Sequence, residues 1–89
     1  MIKSFADDPT EELYRDGRSR KLPADIWKSG LRALRALDAA TALQDLRGTG
    51  RKLEEHRDGR HAFRINDRYR LIFRWESPNA YDVEIADPH

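Results

Sequence analysis

The side chains of this 89-residue chain with the most chemical capacity are its arginines and its three histidines. Thirteen of the seventeen basic residues are arginine, whose planar fork makes bidentate contact with phosphate or carboxylate. Nine basic residues (Arg47, Arg51, Lys52, Arg57, Arg60, Arg64, Arg68, Arg70, Arg74) fall within residues 47–75 against four acidic ones, a local net charge of +5. Residues 1–46 balance at eight of each sign, and residues 76–89 hold four acids with no lysine or arginine. A basic central third beside an acidic end suggests a polyanion-binding surface on one pair of elements, partly balanced by a neighbouring strand. An arginine-rich composition with solvated faces gives the same counts, and charge alone leaves both open.

The histidines are His56, His61 and His89. His56 and His61 flank the turn-forming Asp58-Gly59, but no further ligand has recognisable spacing, so no metal site is expected. His61 reads as a hydrogen-bonded sheet residue. His89 is the last residue, next to a terminal carboxylate, and Asp87 two residues back would point to the same side of an extended strand. Both carboxylates favour the imidazolium, which suits a general acid near neutral pH. The alternative is a frayed tail with a solvated histidine.

Other chemistries are excluded by what is missing. With no cysteine there is no disulfide scaffold, thiolate zinc site or cysteine nucleophile. No GxGxxG, P-loop or nucleophile-elbow pattern occurs, and Ser4, Ser19, Ser29 and Ser77 have no His/Asp partner nearby in sequence. The longest uncharged run, Ala39 to Gln44, is far short of the roughly 18 apolar residues a membrane span needs. Met1 to Phe5 is not followed by an apolar signal-peptide region. The expectation is one domain over residues 1–89, cytoplasmic, without cofactor, metal or membrane. A chain of 10.4 kDa has room for one small core only.

The elements that must position the arginines follow from periodicity. Ile2 to Phe5 reads as a short first strand. Asp8-Pro9 reads as an N-cap followed by proline at the first helical position, with Glu11 and Glu12 suited to the positive end of the helix dipole. Asp16-Gly17 should stop that helix after Leu13 and Tyr14. Pro23 should start a second helix the same way. There Ile26, Trp27, Leu31, Leu34 and Leu37 recur at three- and four-residue steps, one buried face, and Gly30 suggests close packing on a neighbour. Ala42 to Leu46 adds a turn before Gly48-Thr49-Gly50 breaks the chain.

After Gly50 the period becomes 2. Leu53 sits in a short strand; Phe63 and Ile65 alternate with Arg64 and Asn66. Tyr69, Leu71, Phe73 and Trp75 alternate with Arg70, Ile72 and Arg74, and Tyr81, Val83 and Ile85 with Asp82, Glu84 and Ala86. Asn66-Asp67 and Ser77-Pro78-Asn79 are turn signals. The pattern is α+β: N-terminal helices packed on one face of a small, mainly antiparallel sheet of three or four strands within residues 52–87. The other face should then show Arg64, Arg70 and Arg74 beside Asp82 and Glu84.

The stretch Phe63-Arg64-Ile65-Asn66-Asp67-Arg68-Tyr69-Arg70-Leu71-Ile72-Phe73-Arg74-Trp75, then Asn79-Ala80-Tyr81-Asp82-Val83-Glu84-Ile85-Ala86-Asp87-Pro88-His89, closely resembles the HigB branch of the RelE/ParE toxin superfamily. Members of that branch run "IRINDQWRICFRW…AYDVEIVDYH" to the C-terminus. Met1 to Phe5 resembles the family's opening, Leu34 to Thr41 its "LxxLDAAT" helix end, and Lys52-Leu53-Glu54 the start of its second strand.

That resemblance implies the RelE/ParE-like fold and the toxin of a type II toxin–antitoxin system of the plasmid-maintenance kind. It implies a ribosome-dependent mRNA endonuclease that inhibits translation. Its partners would be ribosome, mRNA and a HigA-like helix-turn-helix antitoxin, with DNA met only indirectly through the antitoxin. Cleavage in such nucleases is attack of a ribose 2′-hydroxyl on the adjacent phosphate. The family's catalytic arginine in its W-R-I segment falls on Arg70, and its terminal Asp-Tyr-His on Asp87, Pro88 and His89. Arg64 is a phosphate contact by position, and Arg57, Arg68 and Arg74 are expected to join it in binding RNA. Two departures stand out. Pro88 replaces the usual tyrosine, removing a ring that could stack on a base, and the region of His56 and Arg57 is shorter than the family's lysine- and glycine-containing loop. Two other functions fit the resemblance: a ParE-like, non-catalytic inhibitor of DNA gyrase, and a weakened toxin acting mainly as antitoxin-binding co-repressor.

Overall fold

A computed structural model describes residues 1–47, 52–56 and 58–87. The expected break at Gly48-Thr49-Gly50, and Arg51, Arg57, Pro88 and His89, lie outside the described residues. Three helices, α1 (Asp8–Asp16), α2 (Trp27–Ala39) and α3 (Leu43–Arg47), precede four strands, β1 (Leu53–Glu55), β2 (His61–Arg64), β3 (Arg70–Glu76) and β4 (Asn79–Ala86). The strands pair in chain order and are all antiparallel. The expected α+β architecture, helices on an antiparallel sheet, is the one observed.

The cap of α1 is Asp7 rather than Asp8. Asp7 has extended backbone and its carboxylate accepts the Thr10 N–H at 3.0 Å. Asp8 is therefore the first helical residue and Pro9 the second, a position whose missing N–H is equally harmless. The helix stops where expected: Gly17 takes φ 78° and donates its N–H to the Leu13 carbonyl at 2.8 Å, a left-handed cap glycine reaches without strain.

The second helix starts later than its proline suggests. Pro23 leads into a 3₁₀ turn, Ala24–Ile26, and the α-helix begins at Trp27 without a side-chain cap. Ile26, Leu34 and Leu37 are buried as expected, joined by Ala33, while Trp27 and Leu31 are only partly buried. The Trp27 indole also pins the loop between α1 and α2, because its Nε1–H donates to the carbonyls of Ser19 (3.0 Å) and Leu22 (2.9 Å). At Gly30 a Cβ would meet Leu13 Cδ2 at 3.0 Å and Ile85 Cδ1 at 3.4 Å. The glycine is thus the point where α2 approaches both α1 and the sheet. In α3, Asp45 reaches back to accept the N–H groups of Thr41 (2.9 Å) and Ala42 (3.1 Å), which holds its carboxyl below the usual range.

Residues 2–5 do not form a strand of their own. They make two isolated parallel bridges to β4, Ile2 to Ala80 and Phe5 to Val83. Hydrogen bonds from Lys3 to Ala80 (2.8 Å), Ala6 to Val83 (2.9 Å), and back from Ala80 to Met1 (2.9 Å) and Val83 to Ser4 (3.1 Å) close that sheet edge. Farther along the same edge the buried Thr10 Oγ1 accepts the Ile85 N–H at 2.9 Å. The outer edge of β4 is thereby satisfied by the chain's own N-terminal third.

Alternation along β4 fails at one place. Ile72 pairs with Glu84 but Arg74 pairs with Tyr81, so two β4 residues face one β3 residue. Asp82 sits at φ 53° in this bulge, a conformation aspartate tolerates better than most side chains. Ala80, not Tyr81, consequently joins Val83 and Ile85 in the core, and Tyr81 turns to the opposite face. The β2–β3 turn is also longer than expected: Ile65 and Tyr69 lie outside the strands, although Ile65 remains buried.

Thr10→Val keeps the shape of the side chain but removes the acceptor for the buried Ile85 amide. The expected loss is about 1–3 kcal/mol of unfolding free energy, read from denaturant melts. A loss within error of zero would show that this edge is not held through Thr10.

Candidate functional site

The register assigns the sheet's two faces. Phe63, Leu71, Phe73, Val83 and Ile85 join Leu13, Ala33, Leu34 and Leu37 in the helix-packed core. His61 is opposite Phe73 and its ring stacks there at 5.8 Å. It is a sheet residue at the rim of the core, as expected.

The opposite face is built in cross-strand rows. Glu54, Ala62, Ile72 and Glu84 form one row across all four strands. Ala62 and Ile72 are buried there, at 0% and 5% exposure, so this face is not wholly polar: an apolar floor lies between two carboxylates. Arg60 reaches across to Glu84 (3.6 Å) while also pairing with Asp58 (2.7 Å).

The next row is Arg64, Arg70 and Ala86. Opposed residues in an antiparallel pair lie about 5 Å apart at Cα, so two guanidinium groups share one end of the sheet. The turn between them organises both. Asn66 Oδ1 accepts the N–H groups of Arg68 (2.9 Å) and Tyr69 (2.7 Å), an Asx turn, and Ile65 N–H donates to the Tyr69 carbonyl at 3.1 Å. Arg70 Nη1 then donates to the carbonyls of Asn66 (2.7 Å) and Tyr69 (3.1 Å). Arg64 forms an ion pair with Asp67.

Asp87 follows directly on Ala86, the residue opposite Arg70, and its carboxylate accepts Arg68 Nε–H at 2.6 Å. The Asp87 carboxylate raises the Arg68 guanidinium above its ordinary value. Arg74 stands apart from this group. It lies four residues along β3 from Arg70, about 13 Å away at strand rise, pairs with Glu76 and Asp82, and places its guanidinium 4.8 Å from the centre of the Tyr81 ring.

The structure thus brings Arg64, Arg68, Arg70 and Asp87 to one corner and leaves Arg74 at the other end of β3. Arg57 and His89 lie outside the described residues. Sequence reading misses Asn66 as the organiser of the corner, Arg60 as a side chain on this face, and Tyr81 as a half-buried aromatic on it. Asn66-Asp67 carries the signal for the first; no local signal marks the bulge that turns Tyr81. Among the described residues no group of three or more His, Cys, Asp or Glu could hold a metal. A groove of about 690 Å³ between α1 and the following loop, lined by Glu12, Asp16, Arg18, Ser19 and Trp27 among others, includes none of the corner residues. Two guanidinium groups at one end of the sheet, Arg70 held by main-chain carbonyls and Arg64 paired with Asp67, can bind phosphate oxygens and stabilise charge developing on them.

A family model described as the RelE-like toxin of the type II toxin–antitoxin system HigB matches residues 3–89. The chain belongs to the HigB-like toxin family. Toxin HigB-1 of Vibrio cholerae serotype O1 is 37% identical over 94 residues, covering 100% of this chain and 98% of the relative. An uncharacterized protein of Haemophilus influenzae is 29% identical over 90 residues, covering 96% of this chain and 88% of that one. The resemblance seen in the C-terminal motifs therefore extends over essentially the whole HigB-like chain, and membership of a type II system implies an antitoxin partner.

Asn66→Ala should remove both bonds to its Oδ1 and lower stability by about 1–3 kcal/mol, at roughly 0.5–1.5 kcal/mol per bond. Asn66→Asp keeps the acceptor and should retain most of it. Equal melts for the two variants would show that the turn does not depend on the side-chain acceptor.

Proposed function

We propose that this HigB-like protein is a ribosome-dependent mRNA endonuclease that inhibits translation and is neutralised by a helix-turn-helix antitoxin. One observation carries the reading: Arg70, fixed by two main-chain carbonyls, stands directly opposite Ala86, one residue before the Asp87-Pro88-His89 end. In the proposed reaction the 2′-oxygen attacks the adjacent phosphorus as its proton leaves to a base, and the bond to the 5′-oxygen breaks as that oxygen takes up a proton, leaving a 2′,3′-cyclic phosphate and a 5′-hydroxyl. Arg70, with Arg64, stabilises charge on the phosphoryl oxygens. His89 moves the proton, Asp87 orients it, and Arg57, Arg68 and Arg74 contribute RNA contacts. No step calls for a metal or cofactor.

The substitution of tyrosine by Pro88 supports a second reading, a weakened toxin serving mainly as co-repressor with its antitoxin. Ribosome-dependent cleavage of a defined message separates the two. Arg70→Ala should abolish most cleavage while folding normally, since a partly exposed arginine contributes little stability. Deleting His89 should cost about 10²–10⁴-fold if it is the acid or base. Pro88→Tyr should raise activity by restoring a stacking surface worth about 1–3 kcal/mol per base. Full activity without His89 would remove the tail from the mechanism. No cleavage by wild type with a gain in Pro88→Tyr would favour the co-repressor.

The antitoxin should cover the basic surface of residues 47–75. Charge reversal at Arg64 or Arg70 should weaken the complex, and affinity should fall with salt. Titration calorimetry at two ionic strengths reads both effects. An unchanged affinity in the reversed variants would place inhibition elsewhere on the toxin.

A further inference from the structure

We infer that Arg68 is a positioning residue: its ion pair with Asp87 ties the end of β4 to the same turn that holds Arg70, and so sets where the C-terminal residues start relative to that arginine. This rests on the endonuclease reading above and reassigns one arginine within it, from phosphate contact to tail anchor.

The geometry is specific. Arg68 and Asp87 are nineteen positions apart, and Nε–H to Oδ2 is 2.6 Å. The backbone on the arginine side is fixed, because the Arg68 and Tyr69 N–H groups both donate to Asn66 Oδ1. Arg70 is held by the carbonyls on either side of Arg68, those of Asn66 and Tyr69. One five-residue segment therefore grips the candidate phosphate-binding guanidinium and the first residue past the sheet. Among the described residues no strand pairing continues beyond Ala86, so this contact extends the ordering of the chain past the ladder. The Arg68 guanidinium rises above its ordinary value chiefly through its hydrogen bond to Asp87, which agrees with a formed pair.

Magnitude limits what such a contact does. The arginine side chain is 73% exposed and the aspartate 23%, and an exposed pair biases a population by no more than about five-fold. That is too little to matter for folding. It is enough to change how often Asp87 is in register with Arg70. A phosphate contact by Arg68 would act differently, on RNA affinity rather than on where the tail starts.

The test uses the full chain with Arg68→Gln and Arg68→Lys. Steady-state, ribosome-dependent cleavage should show kcat reduced about two- to five-fold in Arg68→Gln with KM within two-fold of wild type, and at least half the loss recovered in Arg68→Lys. Heteronuclear NOE values for the Asp87 and His89 amides should fall in Arg68→Gln and recover in Arg68→Lys, with the amides of β3 unchanged. A raised KM with unchanged kcat and unchanged tail NOE values would overturn the inference and return Arg68 to the RNA contacts. The NOE measurement needs no RNA: were wild type inactive on every message, the endonuclease reading would fall, and unaltered tail NOE values would still be required to reject the anchor.

Discussion

The β2–β3 register is the constraint on which the candidate site depends. Phe63 and Leu71 are paired across it and both are fully buried. Slipping the pairing by one residue would move every side chain of a strand to the other face. Core packing therefore fixes the next pair too, and that pair is Arg64 opposite Arg70. Like charges directly opposed across strands are unfavourable. The fold accepts this and answers it locally, with Asp67 on Arg64, and with the Asn66 and Tyr69 carbonyls on Arg70. The arginine corner is thus a consequence of burying two apolar residues one position away.

The same logic explains why the rest of the molecule sits on the other side. β4 is the last strand in the sheet, and its outer edge would expose main-chain N–H groups to chance pairing. Residues 1–6 and Thr10 satisfy them. Gly30 lets α2 come close to α1 and β4, and Ile2 N–H donates to Asp38 at 2.8 Å near the end of α2. The N-terminal half of the chain thus acts as clamp and core cover, which leaves the second sheet face to carry the charged side chains.

What can be read from the sequence divides along a physical line. The α+β class, the end of α1 at Gly17, the buried Leu34 and Leu37, and the common face of Arg64, Arg70 and Arg74 all follow from period and turn chemistry, which are local. Family membership is visible in the strand motifs of residues 63–75 and 79–89. The features that escape such reading depend on contacts distant in sequence. Trp27 has the spacing of one more core residue, yet its indole N–H is directed by carbonyls in the preceding loop. Tyr81 follows perfect alternation in the sequence, and only the two-against-one pairing at Asp82 turns it to the other face. Ile72 reads as an apolar intruder on a polar face; the row Glu54–Ala62–Ile72–Glu84 shows an apolar floor that no period-2 count distinguishes from the core.

The arginine face also resolves an apparent contradiction between the proposed polyanion-binding surface and a chain of net charge +1. Arg60, Arg64 and Arg74 each have a carboxylate within ion-pair distance. These pairs are exposed, or partly so, and exposed pairs contribute between about 0 and 1 kcal/mol each. Exchanging such a carboxylate for a phosphate therefore costs little, while the phosphate offers more acceptor oxygens to a planar fork. The internal acids keep the arginines extended over the sheet and limit repulsion in the free protein without committing them. Arg70 differs from the others, since its hydrogen-bond acceptors are neutral carbonyls and its charge is not compensated by them. A phosphate approaching this corner meets a guanidinium already oriented by the backbone, and that orientation persists while the neighbouring ion pairs exchange.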